Sequence, residues 1–293
     1  MKILTGDTPI LPSDRAFNYG DGVFTTLCVN SHVPQLLKIH LSRLFHDANA
    51  IGLHVDIDAI KHAILEEVAR NKRAKSAYSS ASKYVLKVHI SAGEAGRGYG
   101  RSATYPPLAR ISCHAYPTHY EALAQKGLTL MCADTRLAIQ PLLAGVKHLN
   151  RLEQVLIKRE IEKAEVDDAI VCDTNDKLVE SSAGNLFIYT ESAWYTPSLK
   201  GSGVNGVVRQ CLVDSLFDEN AEVHVGEYPL ALLYSADAVV ITNALMGVMP
   251  VSRILFPNDR EREYPINADA ITHLQSLLHA QYIIERDEIS ENR

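Results

Sequence analysis

Gly145-Val146-Lys147-His148-Leu149-Asn150-Arg151-Leu152-Glu153-Gln154 places a lysine at the mouth of an expected helix, and Glu180 follows it after a turn-rich hairpin. A lysine beside a helix N-terminus would lie in a positive field that disfavours its ammonium form, and imine formation with a carbonyl group needs the neutral amine. Gly145 lets the backbone approach closely, and Ser181-Ser182-Ala183-Gly184 leaves space beside the carboxylate. Alone, Lys147 reads as a solvated surface charge and Glu180 as an exposed strand-end carboxylate. Together they suit an imine-forming cofactor, provided the chain also supplies a phosphate cradle.

Gly201-Ser202-Gly203-Val204-Asn205-Gly206 is the candidate cradle, since it runs into an apolar helix expected from Val207 to about Phe217. It matches the GxGxxG spacing of dinucleotide sites, but Pro197 and Lys200 stand where a buried parallel strand should precede it, and no βαβ unit surrounds it. What remains is a set of backbone N–H groups at a helix start, suited to any phosphate, or else a plain glycine turn. Arg43 lies opposite Leu41, Leu44 and Phe45 on its helix, pointing away from that helix's core. It reads either as an i,i+4 ion pair with Asp47 or as a phosphate fork.

Working outward, 293 residues accommodate two domains, each with its own core. A net charge of −6 with scattered Lys and Arg gives no grip on nucleic acid. Cys28, Cys113, Cys132, Cys172 and Cys211 are odd in number, widely spaced and without a CxxC pair, which reads as packed thiols of a cytoplasmic protein. The start carries no signal-peptide core, and Leu230 to Ile241 is interrupted by Ser235 and Asp237, so no membrane span is expected. The histidines lack metal-ligand spacing and there is no GxSxG, so neither a metal site nor a serine nucleophile is expected.

Strands are expected at Gly22 to Val29, Tyr84 to Ser91, Arg110 to Tyr116 and Leu128 to Ala133. Helices are expected over His40 to Ile51 and after an Asp58 N-cap. Another should follow the lysine, with Leu149, Leu152, Val155 and Leu156 on its inner face, and a closing one should run near Ala268 to Tyr282 before a fraying Glu285–Arg293 tail. Hairpins should join Ala169 to Cys172 with Leu178 to Glu180, and Asn185 to Tyr189 with Trp194 to Thr196. Further strands are expected at Val223 and Val239, and a glycine-dense loop at Gly93 to Gly100. The composition divides the chain into a small α/β domain at residues 1–116, a turn-like polar linker at 117–125 and a larger cofactor-binding domain at 126–293.

With those residues laid out, the chain resembles the fold-type IV pyridoxal-phosphate enzymes, a family that includes branched-chain and D-amino-acid aminotransferases and 4-amino-4-deoxychorismate lyases. The likeness rests on ordered motifs: Asp14-Arg15-Ala16 through Tyr19-Gly20-Asp21-Gly22-Val23-Phe24, His40-Leu41-Ser42-Arg43-Leu44, the Lys147 segment, Glu180 to Phe187 and Gly203 to Arg209. Lys147-His148-Leu149-Asn150-Arg151 and Phe24-Thr25-Thr26 look like the lyase versions, aminotransferases usually having glutamate where Thr25 stands. Gly96-Arg97-Gly98-Tyr99, Ala115-Tyr116-Pro117 and Asn243-Ala244-Leu245-Met246 point the same way. Ala92 stands where relatives often have arginine, and Asn71 to Ser82 looks like an insertion.

The resemblance implies a mixed α/β fold, with a small α/β N-terminal domain and a larger C-terminal domain whose β-barrel-like sheet is flanked by helices. It also implies a homodimer and pyridoxal 5'-phosphate as cofactor. Lys147 would carry the cofactor, Glu180 would face its pyridine nitrogen, Arg43 would hold its phosphate, and the N–H groups of Val207 and Val208 with Asn243 and Ala244 would complete the cradle. Arg97 and Tyr99 would receive substrate carboxylate. The implied reaction turns 4-amino-4-deoxychorismate into 4-aminobenzoate and pyruvate for folate biosynthesis. The alternative is transamination of D-amino or branched-chain amino acids on the same fold.

Overall fold

The computed structural model describes residues 1–6, 8–73, 82–94, 98–102 and 105–291, with side chains through residue 287. The chain forms two compact units: Met1–Tyr116 with Val146–Asn150 and Tyr282–Arg293, and Pro117–Gly145 with Arg151–Gln281. It is a mixed α/β fold of type IV, with one curled half-barrel sheet in each unit.

In the first unit, strands β1 (Lys2–Thr5), β2 (Gly22–Asn30), β3 (Val33–Pro34), β4 (Lys83–Ser91) and β5 (Leu108–Ala115) take the order β1-β5-β4-β2-β3. A short helix α1 (Arg15–Tyr19) precedes β2, and α2 (Leu37–Ala50) and α3 (Ile57–Arg73) cover one sheet face. Strand alternation decides what each face carries. Val23, Thr25, Leu27 and Val29 of β2, with Leu86, Val88 and Ile90 of β4, are buried toward Leu41, Leu44, Ala48, Ile60, Ile64 and Val68. Phe24 and His89, register partners on β2 and β4, and Lys87 belong to the other face.

The second unit contains α4 (His119–Lys126), β6 (Leu128–Cys132), α5 (Leu152–Ala164), β7 (Asp168–Cys172), β8 (Leu178–Ser181), β9 (Asn185–Thr190) and β10 (Ala193–Pro197). After these come α6 (Val207–Asp218), β11 (Val223–Gly226), β12 (Ala238–Asn243), β13 (Gly247–Phe256), β14 (Arg260–Glu263) and the start of α7 (Asp269–Glu291). Its sheet runs β11-β10-β9-β12-β13-β6-β7-β8, with β14 on β13. Both expected hairpins form. Asp173 Oδ1 accepts the N–H groups of Asn175 and Lys177 in the first, and positive φ at Glu191 and Ser192 turns the second.

Several local expectations are corrected. Residues 117–125 hold most of helix α4 rather than a turn-like linker. Asp56, not Asp58, caps α3, its carboxylate accepting the Ala59 N–H at 2.9 Å, while Asp58 sits in the first turn. Phe45 is exposed on α2. On α5 the apolar stripe Leu152, Val155 and Leu156 faces solvent, and Ile157 and Ile161 supply the buried face. Leu149 precedes that helix. Helix α7 continues to Glu291 through the stretch expected to fray. Of the supposed insertion, Asn71–Arg73 ends α3 and Ser82 precedes β4, while 74–81 lies outside the described residues.

Gly22 starts β2 where a side chain has no room: a Cβ there would sit 2.1 Å from the Ile90 carbonyl oxygen. Gly22→Ala must push β2 away from β4. We expect a loss of about 1–3 kcal/mol in folding stability, read as a lower urea midpoint; an unchanged midpoint would show that β2 has freedom to shift.

Candidate active site

The lysine-bearing side lies in the first unit. Val146–Asn150 runs antiparallel to the start of β2, the Phe24 N–H donating to the Lys147 carbonyl and the Leu149 N–H to the Gly22 carbonyl, each at 3.0 Å. Val146 enters the core under the sheet. Lys147 thus lies on a strand-like bridge, and α5 begins only at Leu152, with Arg151 as its N-cap. Because a helix field fades within its first turn, Lys147 lies outside the positive field expected at a helix mouth. Lys147 Nζ stands over the Phe24 ring at 4.6 Å, Lys87 Nζ at 5.1 Å from the same ring, and His89 stacks on it at 5.8 Å. One aromatic ring therefore attracts two ammonium groups. Burial lowers the Lys87 pKa below the ordinary ammonium value.

Beneath the same sheet lies a buried polar chain. Arg43 Nη2 donates to Thr25 Oγ1 at 2.6 Å, and the same hydroxyl shares a hydrogen bond of 2.7 Å with His40 Nδ1. His40 is buried, and its Nε2 has no hydrogen-bond partner among the described residues. Its pKa is pushed far down by burial first, then by Arg43 and Lys147. The Arg43 Nε stands 3.8 Å from Asp47 Oδ2, and burial brings the guanidinium pKa down to about 10 against the pull of Asp47. The i,i+4 pair thus exists, but in the interior and under β2. Arg43 does not point into solvent.

The carboxylate-bearing side lies in the second unit. Glu180 is buried on β8, held opposite Val171 of β7, and its Oε2 accepts the Val204 N–H at 2.9 Å. Asn185 clamps the following loop, accepting the Gly206 N–H and donating to the Val204 carbonyl. Gly145 pairs in parallel with the loop's backbone, its N–H donating to the Gly203 carbonyl and its carbonyl accepting the Asn205 N–H. At Gly203 the φ is +85° and a Cβ would meet Val179 at 2.6 Å, so a side chain is excluded there on both counts.

Gly206 caps α6 with no side chain, leaving the first-turn N–H groups of Val207 and Val208 as an uncapped helix N-terminus while their side chains anchor in the core. Asn243 acts through its side chain: Oδ1 accepts the N–H groups of Leu245 and Met246, and Nδ2 donates to the Ala183 carbonyl. Ala244 is half-buried within that turn.

Arg209 was not assigned a role from sequence. It is buried and donates to Asn205, Thr196 and the Pro197 carbonyl, with its pKa brought down to about 10 by burial. An arginine in the first turn of an otherwise apolar helix was the available signal. Lys87 and His89 were also missed, although their alternation with Leu86, Val88 and Ile90 marks a second sheet face. Tyr99 is 88% exposed, edge-on to Tyr19 at 5.6 Å, and its carbonyl accepts from Arg15 Nη2. Arg97 lies outside the described residues. No group of three or more His, Cys, Asp or Glu residues among the described residues could hold a metal ion.

Two histidines make stability fall in acid. His89 is brought down to about 4 by burial, then Lys87, His114 and Arg110, and His40 lies well below 6.5. An unfolded histidine binds its proton near pH ~6.5 and these folded ones do not, so their contribution is complete above that pH and is lost as pH falls toward 4. His89→Gln is expected to flatten the fall of the urea midpoint between those limits; an unaltered slope would rule out His89 as a source.

The amino-transferase class IV family model matches residues 22–254. An aminodeoxychorismate lyase of Vibrio harveyi is 36% identical over 253 residues, covering 86% of this chain and 90% of the relative. A putative branched-chain-amino-acid aminotransferase of Methanocaldococcus jannaschii is 29% identical over 251 residues, covering 85% of this chain and 83% of the relative. The crystal structure of 4-amino-4-deoxychorismate lyase from Pseudomonas aeruginosa superposes with a TM-score of 0.80 at 31% identity, covering 94% of this chain and 96% of that one. The chain belongs to the class IV aminotransferase family, and it is a fold-type IV enzyme that uses pyridoxal phosphate.

Proposed function

We propose that the protein is a 4-amino-4-deoxychorismate lyase, releasing 4-aminobenzoate and pyruvate. The observation that carries this reading is the setting of Lys147. Its amine shares the Phe24 ring with Lys87, beside His89, while a threonine rather than a carboxylate lies beneath, at Thr25. A substrate bearing two carboxylates suits such a cationic face. The likeness to the lyases of Vibrio harveyi and Pseudomonas aeruginosa supports it.

The residues fit the cofactor. In this reading Lys147 would offer the amine, Glu180 a buried carboxylate for the ring nitrogen, Arg43 a largely buried cation for the phosphate, and Val207 and Val208 uncapped N–H groups, with Asn243 and Ala244 in a neighbouring turn. Pyridoxal phosphate, when bound, supplies an electron sink. In the proposed reaction Lys147 Nζ removes the proton from the ring carbon bearing nitrogen. The bond from the ring to the enolpyruvyl oxygen then breaks, and the same amine returns a proton to the enolpyruvyl methylene. Pyruvate leaves and the ring becomes aromatic. Arg97 and Tyr99 are proposed to receive a substrate carboxylate.

A homodimer belongs to the same proposal. Leu142, Leu152, Val155 and Leu156 are exposed apolar side chains of the second unit, a surface that a second copy would remove from water. Sedimentation equilibrium should return twice the chain mass, and Leu152→Glu with Leu156→Glu should shift it toward the monomer; a monomeric parent protein would remove this element.

Lys147→Ala should abolish both the visible absorption of the lysine–cofactor adduct and 4-aminobenzoate release. Glu180→Gln should retain cofactor while turnover falls by about 100-fold or more, the range typical of lost electrostatic stabilisation. The direct test is 4-aminobenzoate fluorescence on feeding 4-amino-4-deoxychorismate, set against keto-acid formation from D-alanine and branched-chain amino acids. Keto acid without 4-aminobenzoate would replace the lyase reading with transamination.

A further inference from the structure

We propose that Asp47 is a positioning residue for Lys147, fixing the reactive lysine's backbone from helix α2. This rests on the reading that Lys147 is the cofactor-bearing amine. Asp47 is 1% exposed, and its Oδ2 accepts the Lys147 N–H at 3.0 Å. In a regular antiparallel ladder that N–H would donate back to Phe24, since the Phe24 N–H already donates to the Lys147 carbonyl. The Phe24–Lys147 pair forms only one of its two bonds, and the Lys147 donor turns to the carboxylate. A backbone N–H withdrawn from its ladder at a half-buried position needs a partner, and a carboxylate is the strongest acceptor available.

Asp47 is itself held. Arg43 Nε lies 3.8 Å from the same oxygen, and His46 Nδ1 lies 3.6 Å from Oδ1. Burial pushes the Asp47 carboxyl up, and Arg43, the Lys147 N–H and His46 each draw it back. Arg43 is in turn pinned to Thr25 on β2. One short chain of contacts therefore joins β2, α2 and the lysine segment, so the base of the Lys147 side chain is set by the same helix that presents Arg43.

The test uses Asp47→Ala, Asp47→Asn and the parent protein, first without cofactor. Asparagine keeps an oxygen able to accept the Lys147 N–H, and alanine does not. Amide hydrogen exchange across 146–150 should accelerate by about tenfold or more in the alanine variant, as for loss of a hydrogen bond to a charged group, and by much less in the asparagine variant. Borohydride trapping with pyridoxal, which has no phosphate, should slow in the alanine variant and be restored in the asparagine variant, separating lysine placement from phosphate anchoring. Unchanged exchange and trapping in Asp47→Ala would overturn the proposal. If Asp47→Ala does not fold, Asp47→Ser, too short to reach the amide, takes its place against Asp47→Asn, and equal exchange in those two would overturn it equally. Trapping that persists in Lys147→Ala would instead overturn the assignment of the lysine, a separate outcome.

Discussion

The antiparallel pairing of Val146–Asn150 with the start of β2 is the constraint on which the reactive lysine depends. Two backbone bonds, Phe24 to Lys147 and Leu149 to Gly22, fix the segment in the first unit, while Gly145 and Arg151 on either side belong to the second. Strand pairing sets the alternation of side chains, so register determines which face receives the amine. Val146 goes to the core, and Lys147 goes to Phe24.

The sheet of the first unit then separates two kinds of polar chemistry. On one face, Lys87, His89 and Lys147 gather around an aromatic ring. Under the other, Thr25, His40, Arg43 and Asp47 form a largely buried chain of hydrogen bonds and charge contacts. A neutral histidine between a hydroxyl and the interior keeps that chain from gathering a further positive charge beside Arg43. In the second unit side chains hold a backbone loop: Glu180 and Asn185 bind the stretch of Val204 to Gly206, and Arg209 braces it through Asn205.

Much of this was legible locally. The hairpin around Asp173-Thr174-Asn175-Asp176, the alternation of Gly22 to Val29 and the glycine run into Val207 depend on turn chemistry and period, which act over a few residues. Where local reasoning failed, a tertiary choice overrode it. Leu152, Val155 and Leu156 have helical spacing, yet the core lies against Ile157 and Ile161, since spacing defines a stripe and not the surface that covers it. Asp56, two residues before Asp58, took the cap through a local contact with Ala59, and residues 117–125 wound into a helix where polarity suggested a linker. The apolar Phe45 was left in solvent for the same reason as the α5 stripe.

By itself the sequence determined most of the longer strands and helices, the family resemblance and the residue types that chemistry requires: an amine, a carboxylate, an arginine and an uncapped helix start. Only the tertiary structure decided their environments. Lys147 proved to lie on a strand-like bridge over Phe24 rather than at a helix mouth. Arg43 proved to lie largely buried against Thr25 of β2, and the lysine's N–H proved to belong to Asp47. Each of these depends on contacts between residues far apart in the chain, and local propensity carries no information about partners that only folding brings together.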